Sequence, residues 1–370
     1  MALDAAAMRP LHTGALKTLR EAPPPPALRI EAPVAGPFSA ALSGRPAIIG
    51  RSEELATLQR AALMTRRGVV VVHVTSDYGC GSSFFVNRSI EVLGADLDAT
   101  VLMTELHQDA RETAFRALYR LVCHGLDEHL STQEGDAESF IGPALLDRRQ
   151  EALRRLSLGL VEHTALMALL ARWTLAAGMT QGPVHVEEWR PYADGPLRFP
   201  ETRDQILGHA FAQMLRALVQ RQQHGDDAGH RAPLVLCIDG WEHCDSATRR
   251  VLRSVLSKRR DLPLLFIAVT QSNRQHSEDP FPEAVEESGP LPPYNDGRPW
   301  DLEIPIPPYT RQEVRQYLLQ QQGLPPGEML VERLTTISEG NPLLLKEVLH
   351  FQRNARQGTS RLPESADRMF

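Results

Sequence analysis

Three stretches of the chain are apolar almost without a break: "GVVVVHVT", "PLVLCID" and "LPLLFIAVT". A strand with one wet face alternates apolar and polar residues, so unbroken runs predict strands covered on both faces. They place strands at Val69 to Val74, at Pro233 to Asp239 and along "LPLLFIAVT". "ATVLMTE", Ala99 to Glu105, and the short "DLEIPI" add two more.

Between these runs the apolar residues recur at helical spacing. Leu55, Leu58, Ala62 and Leu63 follow Ser52, a residue type suited to cap a helix, with Glu53 and Glu54 in the first turn. A second helix runs from the glycine-rich turn after the first strand to about Leu93. Phe115, Leu118, Tyr119 and Val122 share one face of a third. Leu153, Leu156, Leu160 and Leu170 predict one long helix from about Asp147 to Ala177. Thr202 with Gln205 reads as a capping box ahead of a stripe from Ile206 to Val219. "SATRRVLRSVLSK" is a further helix, Thr310 with Glu313 caps another, and the last two are broken at Gly340-Asn341-Pro342. Strands alternating with helices predict an α/β fold, a parallel sheet with helices on both faces, followed by a small helical lid. Ligands of such sheets bind outside the carboxyl ends of the strands.

The punctuation divides the chain. Residues 1–45 hold "EAPPPPALRIEAPVAGP", a Pro/Ala-rich arm with too little apolar area to offset its ordering entropy, dispensable for folding on this reading. Residues 46–306 form the α/β core, with a helical insertion at about 127–200. Residues 272–300 are a loop by composition, 307–355 the lid, and 356–370 a tail.

Composition narrows the classes. A net charge of −6 argues against a dedicated nucleic-acid binder. No apolar run approaches the roughly 18 residues that span a bilayer, and the first residues, with Asp4, do not form a secretory signal. Four scattered cysteines without metal spacing suit a reducing compartment, hence the cytoplasm. Lys17, Lys258 and Lys346 are the only lysines. His73, inside an apolar strand, reads as a core histidine; Trp241 and Trp300 read as packing residues; His243 and Cys244 lack the second pair a metal site needs.

The candidate chemistry lies in "SDYGCGSSF", between the first strand and its helix. Against the phosphate-loop pattern G-x-x-x-x-G-K-[ST], Gly81 and Ser83 match the second glycine and the final hydroxyl. Ser76 stands at the first glycine and Ser82 at the lysine. Without a cation there, the same residues also fit a purely structural turn.

The order of motifs carries a resemblance. "IIGRSEELATLQRAAL", with Ile49, Gly50 and Arg51, is similar to the opening motif of the STAND and Orc-like branches of the AAA+ P-loop ATPases. "LVLCIDGWEHCDSAT" looks like their Walker B region, "LPLLFIAVTQSN" like the sensor strand, and "SEGNPLLLKEVL", with Asn341 and Pro342, like the lid motif. The resemblance implies a P-loop NTPase core binding ATP or ADP with Mg²⁺. Ile49, Gly50, Arg51, Gly79, Gly81, Ser82, Ser83, Asn341 and Pro342 would then line the nucleotide, with Ser83 and Asp239 on the metal.

The departures matter more. Ser82 brings no charge, and losing a charge-assisted contact costs about 1.5–3 kcal/mol, roughly ten- to a hundredfold in affinity. Arg51 is the candidate replacement cation, whereas Arg88 should point away. Gly240 takes the place of the second Walker B acid, for which Glu242 and Asp245 are candidate substitutes, and "TQSN" lacks the sensor arginine. The expectation is a degenerate, non-catalytic ATPase module serving as scaffold or regulatory subunit, partnered by other protein subunits or by itself, with nucleotide bound weakly or not at all. The alternatives are an ATP-dependent oligomerising switch with an atypical loop, and a nucleic-acid-associated initiator or transposition-type ATPase. On this reading Ser82→Lys alone should raise Mg·ATP affinity at least several-fold, and hydrolysis should need Gly240→Asp as well.

Overall fold

The computed structural model describes residues 48–107, 114–134, 143–176, 200–222, 232–258, 262–271, 301–322 and 325–355. The arm at 1–45, the loop at 272–300, Trp300, the 356–370 tail and the Pro-rich part of the insertion lie outside them. The described residues belong to one compact unit beginning at Ile48.

Five strands form one all-parallel sheet: β1 Val70–Ser76, β2 Thr100–Glu105, β3 Leu234–Asp239, β4 Leu264–Gln271 and β5 Leu302–Ile306. Their spatial order is β2-β3-β4-β1-β5, so the three longest apolar runs lie side by side in the middle. Central position explains the runs. Alternate residues of one strand enter two different cores, and both cores are apolar.

One core packs Val70, Val72 and Val74 of β1 with Leu265, Ile267 and Val269 of β4 under α1, Ser52–Met64, and α2, Ser82–Leu97. The other takes Leu236, Ile238, Leu264 and Phe266 against α3, Arg116–Glu134, α4, Pro143–Arg155, α5, Leu160–Ala176, α6, Pro200–Gln222, and α7, Ser246–Lys258. A third, smaller core joins α8, Arg311–Gln322, α9, Glu328–Ser338, and α10, Pro342–Ala355, through Val314, Leu318, Val331, Leu334 and Leu345. The two-faced parallel sheet and the small helical cluster after it match the expected α/β class.

Local expectations fared unevenly. The long helix from Asp147 to Ala177 is two helices: the chain breaks between Arg155 and Leu160, where Ser157 adopts a left-handed φ of 53°. The leucine spacing ran through the break because Leu153, Leu156, Leu166 and Leu170 all reach the same core. Ser52 is the first helical residue, not the cap; Arg51 holds that position without a side-chain bond to the helix. α6 begins at Pro200, which puts Thr202 inside its first turn. The capping box at Thr310 holds: its hydroxyl accepts the Glu313 N–H at 3.3 Å, and Glu313 Oε2 accepts the Thr310 N–H at 2.6 Å.

His73 is a buried core residue whose Nε2 lies 2.9 Å from Thr270 Oγ1. Burial pushes its pKa down to about 4. The unfolded chain takes up that proton near the ordinary value of about 6.5, before the folded chain does. Stability is therefore expected to fall as pH drops from about 6.5 towards 4, by roughly 3 kcal/mol for this group. Urea midpoints at pH 7 and pH 4.5 check this: His73→Gln should lose less between the two than the wild type, and equal losses would contradict it.

Candidate functional site

β1 delivers the candidate loop to the middle of the sheet, between β4 and β5. The helix after β1 lies on one face, while those preceding and following β3 lie on the other. The carboxyl ends of β1, β4 and β3 thus surround a point where connections leave in opposite directions, the usual crevice of open α/β sheets.

The loop itself is a tight turn. The Cys80 N–H donates to Asp77 O at 3.2 Å, and Gly79 and Gly81 hold φ of 80° and 85°. Gly81 occupies the cap position of α2, and no side chain caps that terminus. The first N–H groups of α2 are thus not taken by a side-chain cap, the condition under which a helix N-terminus can meet an anion.

The side chains replacing the glycine and the lysine find each other. Ser76 Oγ donates to Ser82 Oγ at 2.8 Å, and both residues are buried. Two hydroxyls six positions apart are thus bonded to each other across the turn.

The metal-side residues are brought together. Ser83 hydrogen-bonds the Asp239 carboxyl, and its Oγ also accepts from Gln271 Nε2 at 3.2 Å. Glu242 Oε1 accepts the Gln271 N–H at 3.4 Å. Burial raises the Asp239 pKa, the Ser83 and Gly240 hydrogen bonds oppose that rise, and neighbouring Glu105 adds to it. A buried carboxylate and a hydroxyl bonded to it are hard oxygen donors of the kind Mg²⁺ takes. They fit the metal half of a Mg·nucleotide site; the Ser76–Ser82 hydroxyl pair brings no charge to the anion half. Among the described residues no group of three or more His, Cys, Asp or Glu is disposed to hold a metal by itself.

Gly240 corrects the expected repair. Its φ is 76°, and a Cβ there would sit 2.3 Å from Leu106 O. Leu106 cannot easily retreat, because its N–H donates to Asp239 O at 2.8 Å. The chain after β2 therefore fills the second acid's place. Asp245 is no substitute either. Its Oδ1 accepts the Phe115 and Thr248 N–H groups, both at 2.8 Å, and Oδ2 the Thr248 hydroxyl at 2.7 Å, so it caps α7 and ties down the chain before α3. Glu242 remains, through its contact to Gln271.

Arg51 is not the replacement cation. Buried beneath the lid, it donates to Pro307 O, lies 5.2 Å over the Tyr309 ring and faces Glu54 and Glu313 at 3.9 and 3.8 Å. Neighbouring Ile49 is buried, and Gly50 lies under the Glu313 side chain. This opening segment thus holds the lid's start. Arg88 pairs with Glu91 on its own helix. Trp241 packs edge-on to Phe266 at 5.5 Å.

The lid does reach the loop. Asn341 Nδ2 donates to Tyr78 O at 2.8 Å, and the Leu343 N–H donates to Gly79 O at 3.2 Å, with Pro342 as the first residue of α10 between them. Sequence reasoning passed over Ser76 and Gln271 as site members. Ser76 stood out only as a misfit to the pattern, and Gln271 only as the last residue of an apolar strand.

No protein-family model matches the chain, and no curated protein is detectably similar to it in sequence.

Proposed function

We infer that the chain is a P-loop-type module of the STAND/AAA+ kind whose nucleotide chemistry has been closed off, acting as a scaffold or regulatory subunit in an assembly of protein subunits, itself included. The observation that carries this reading is the Ser76–Ser82 hydroxyl bond, which takes the place of the glycine–lysine pair and is buried. Two others support it: Leu106 O excludes a second carboxylate at Gly240, and Arg51 is committed to the lid. Membrane spanning is not part of the reading; no helix among the described residues is long and apolar enough to cross one. Nucleic acid is no part of it either, given the net charge of −6.

A second reading, a working ATP-dependent switch, is favoured by one feature, the intact Ser83–Asp239 pair beside Gln271 and Glu242. When bound, Mg²⁺ would supply charge neutralisation for phosphate oxygens; Ser83 and Asp239 would hold it, and Gln271 would orient the Ser83 hydroxyl. Phosphate release separates the two readings. Turnover of Mg·ATP at the level of a protein-free blank, unchanged by Asp239→Ala, is the expected result. Robust turnover abolished by Asp239→Ala would establish the switch instead.

A further inference from the structure

Two peptide groups of the loop face the lid. Tyr78 O accepts from Asn341 Nδ2 at 2.8 Å, and Gly79 O accepts the Leu343 N–H at 3.2 Å. In a trans peptide the N–H lies opposite the C=O. Carbonyls turned to the lid therefore turn the N–H groups of Gly79 and Cys80 away from it, and that of Cys80 closes the turn on Asp77 O.

Asn341 works in both directions. Its Oδ1 accepts the N–H groups of Leu343 and Leu344 at 3.0 and 3.3 Å, capping α10, while its amide nitrogen holds the loop. The approach is close enough to require glycine on the loop side: a Cβ on Gly79 would meet Asn341 Oδ1 at 2.7 Å and Leu343 Cβ at 3.0 Å. The lid is held a second time at its start, where Arg51 donates to Pro307 O and lies over the Tyr309 ring, while the Tyr309 N–H donates to Gly340 O at 2.7 Å within the lid itself.

The geometry points to a latch: Asn341 and the N-terminus of α10 hold the 78–79 and 79–80 peptides in one orientation, so that the loop and the lid open as a single unit. In a phosphate loop the bound anion orients the backbone N–H groups. Here the lid holds the same backbone from its carbonyl side. Such coupling is reciprocal. A partner that lifts the lid frees the loop, and a ligand that reshapes the loop releases the lid. The inference goes beyond the functional reading above and stands on these contacts alone, whether or not nucleotide ever binds.

Hydrogen exchange read by mass spectrometry on the full chain, with no nucleotide present, tests it. Asn341→Asp keeps the oxygen that caps α10 but lacks the amide donor to Tyr78 O. Asn341→Ala lacks both. In each variant, exchange is expected to speed up about fivefold or more in peptides covering 77–85 and 342–350 together, with the global thermal midpoint nearly unchanged. If Asn341→Asp exchanges at wild-type rates in both segments, Asn341 is a helix cap and nothing more. If the lid peptides accelerate while the loop peptides do not, the two elements are not coupled and the latch is overturned. Neither outcome bears on Mg·ATP turnover, so this inference and the functional reading fail separately.

Discussion

Gly240→Asp is expected to destabilise the fold by about 3 kcal/mol or more, instead of supplying a second carboxylate. Part of the cost is conformational: a non-glycine residue at the observed φ of 76° is strained by about 1–2 kcal/mol, although aspartate tolerates that region better than most. The larger part is steric. The new Cβ would overlap Leu106 O at 2.3 Å, and moving Leu106 would break its hydrogen bond to Asp239 O at the end of the β2–β3 ladder. Gly240→Ala isolates the Cβ from the charge. Both variants should show a similarly lowered urea midpoint, with aspartate no better than alanine. A Gly240→Asp protein as stable as the wild type would mean the backbone there has room, and the second acid's place would be open after all.

Contrary to the expectation from the loop pattern alone, Ser82→Lys should not help by itself. The site is buried, and its hydroxyl partner Ser76 would be left facing an ammonium with no anion. A buried unpaired charge costs several kcal/mol, so the single variant is expected to be less stable and to gain no Mg·ATP affinity. Ser76→Gly combined with Ser82→Lys removes the obstructing hydroxyl and completes the phosphate-loop pattern. The pair is expected to raise Mg·ATP affinity by about tenfold or more, the worth of one charge-assisted contact.

The sheet was legible because its evidence is continuous: the runs ending at Asp239 and Gln271 are buried on both faces, and their shortness and β-branched content separate a central strand from a buried helix. The three-part order of loop, acidic strand end and lid motif was legible for the same reason, since each sits where one element hands over to the next. What failed depended on tertiary neighbours. Ser52 is a good cap by type, yet Arg51 takes the cap position because its side chain is held at Pro307, far along the chain. The break near Ser157 was invisible because leucines on both sides of it face one core. Gly240 reads as a lost carboxylate in sequence, but Leu106 O lies where its Cβ would go. Ser76 and Ser82 looked like two separate losses, and only the turn at Asp77–Cys80 makes them one hydrogen-bonded pair.

The central claim is that this hydroxyl pair closes a phosphate loop. Calorimetric titration of Mg·ATP into the wild type, Ser82→Lys and Ser76→Gly/Ser82→Lys proteins tests it most directly. The account predicts weak or undetectable binding in the first two and a clear gain in the third. Tight binding by the wild type, or no gain in a folded double variant, would contradict it.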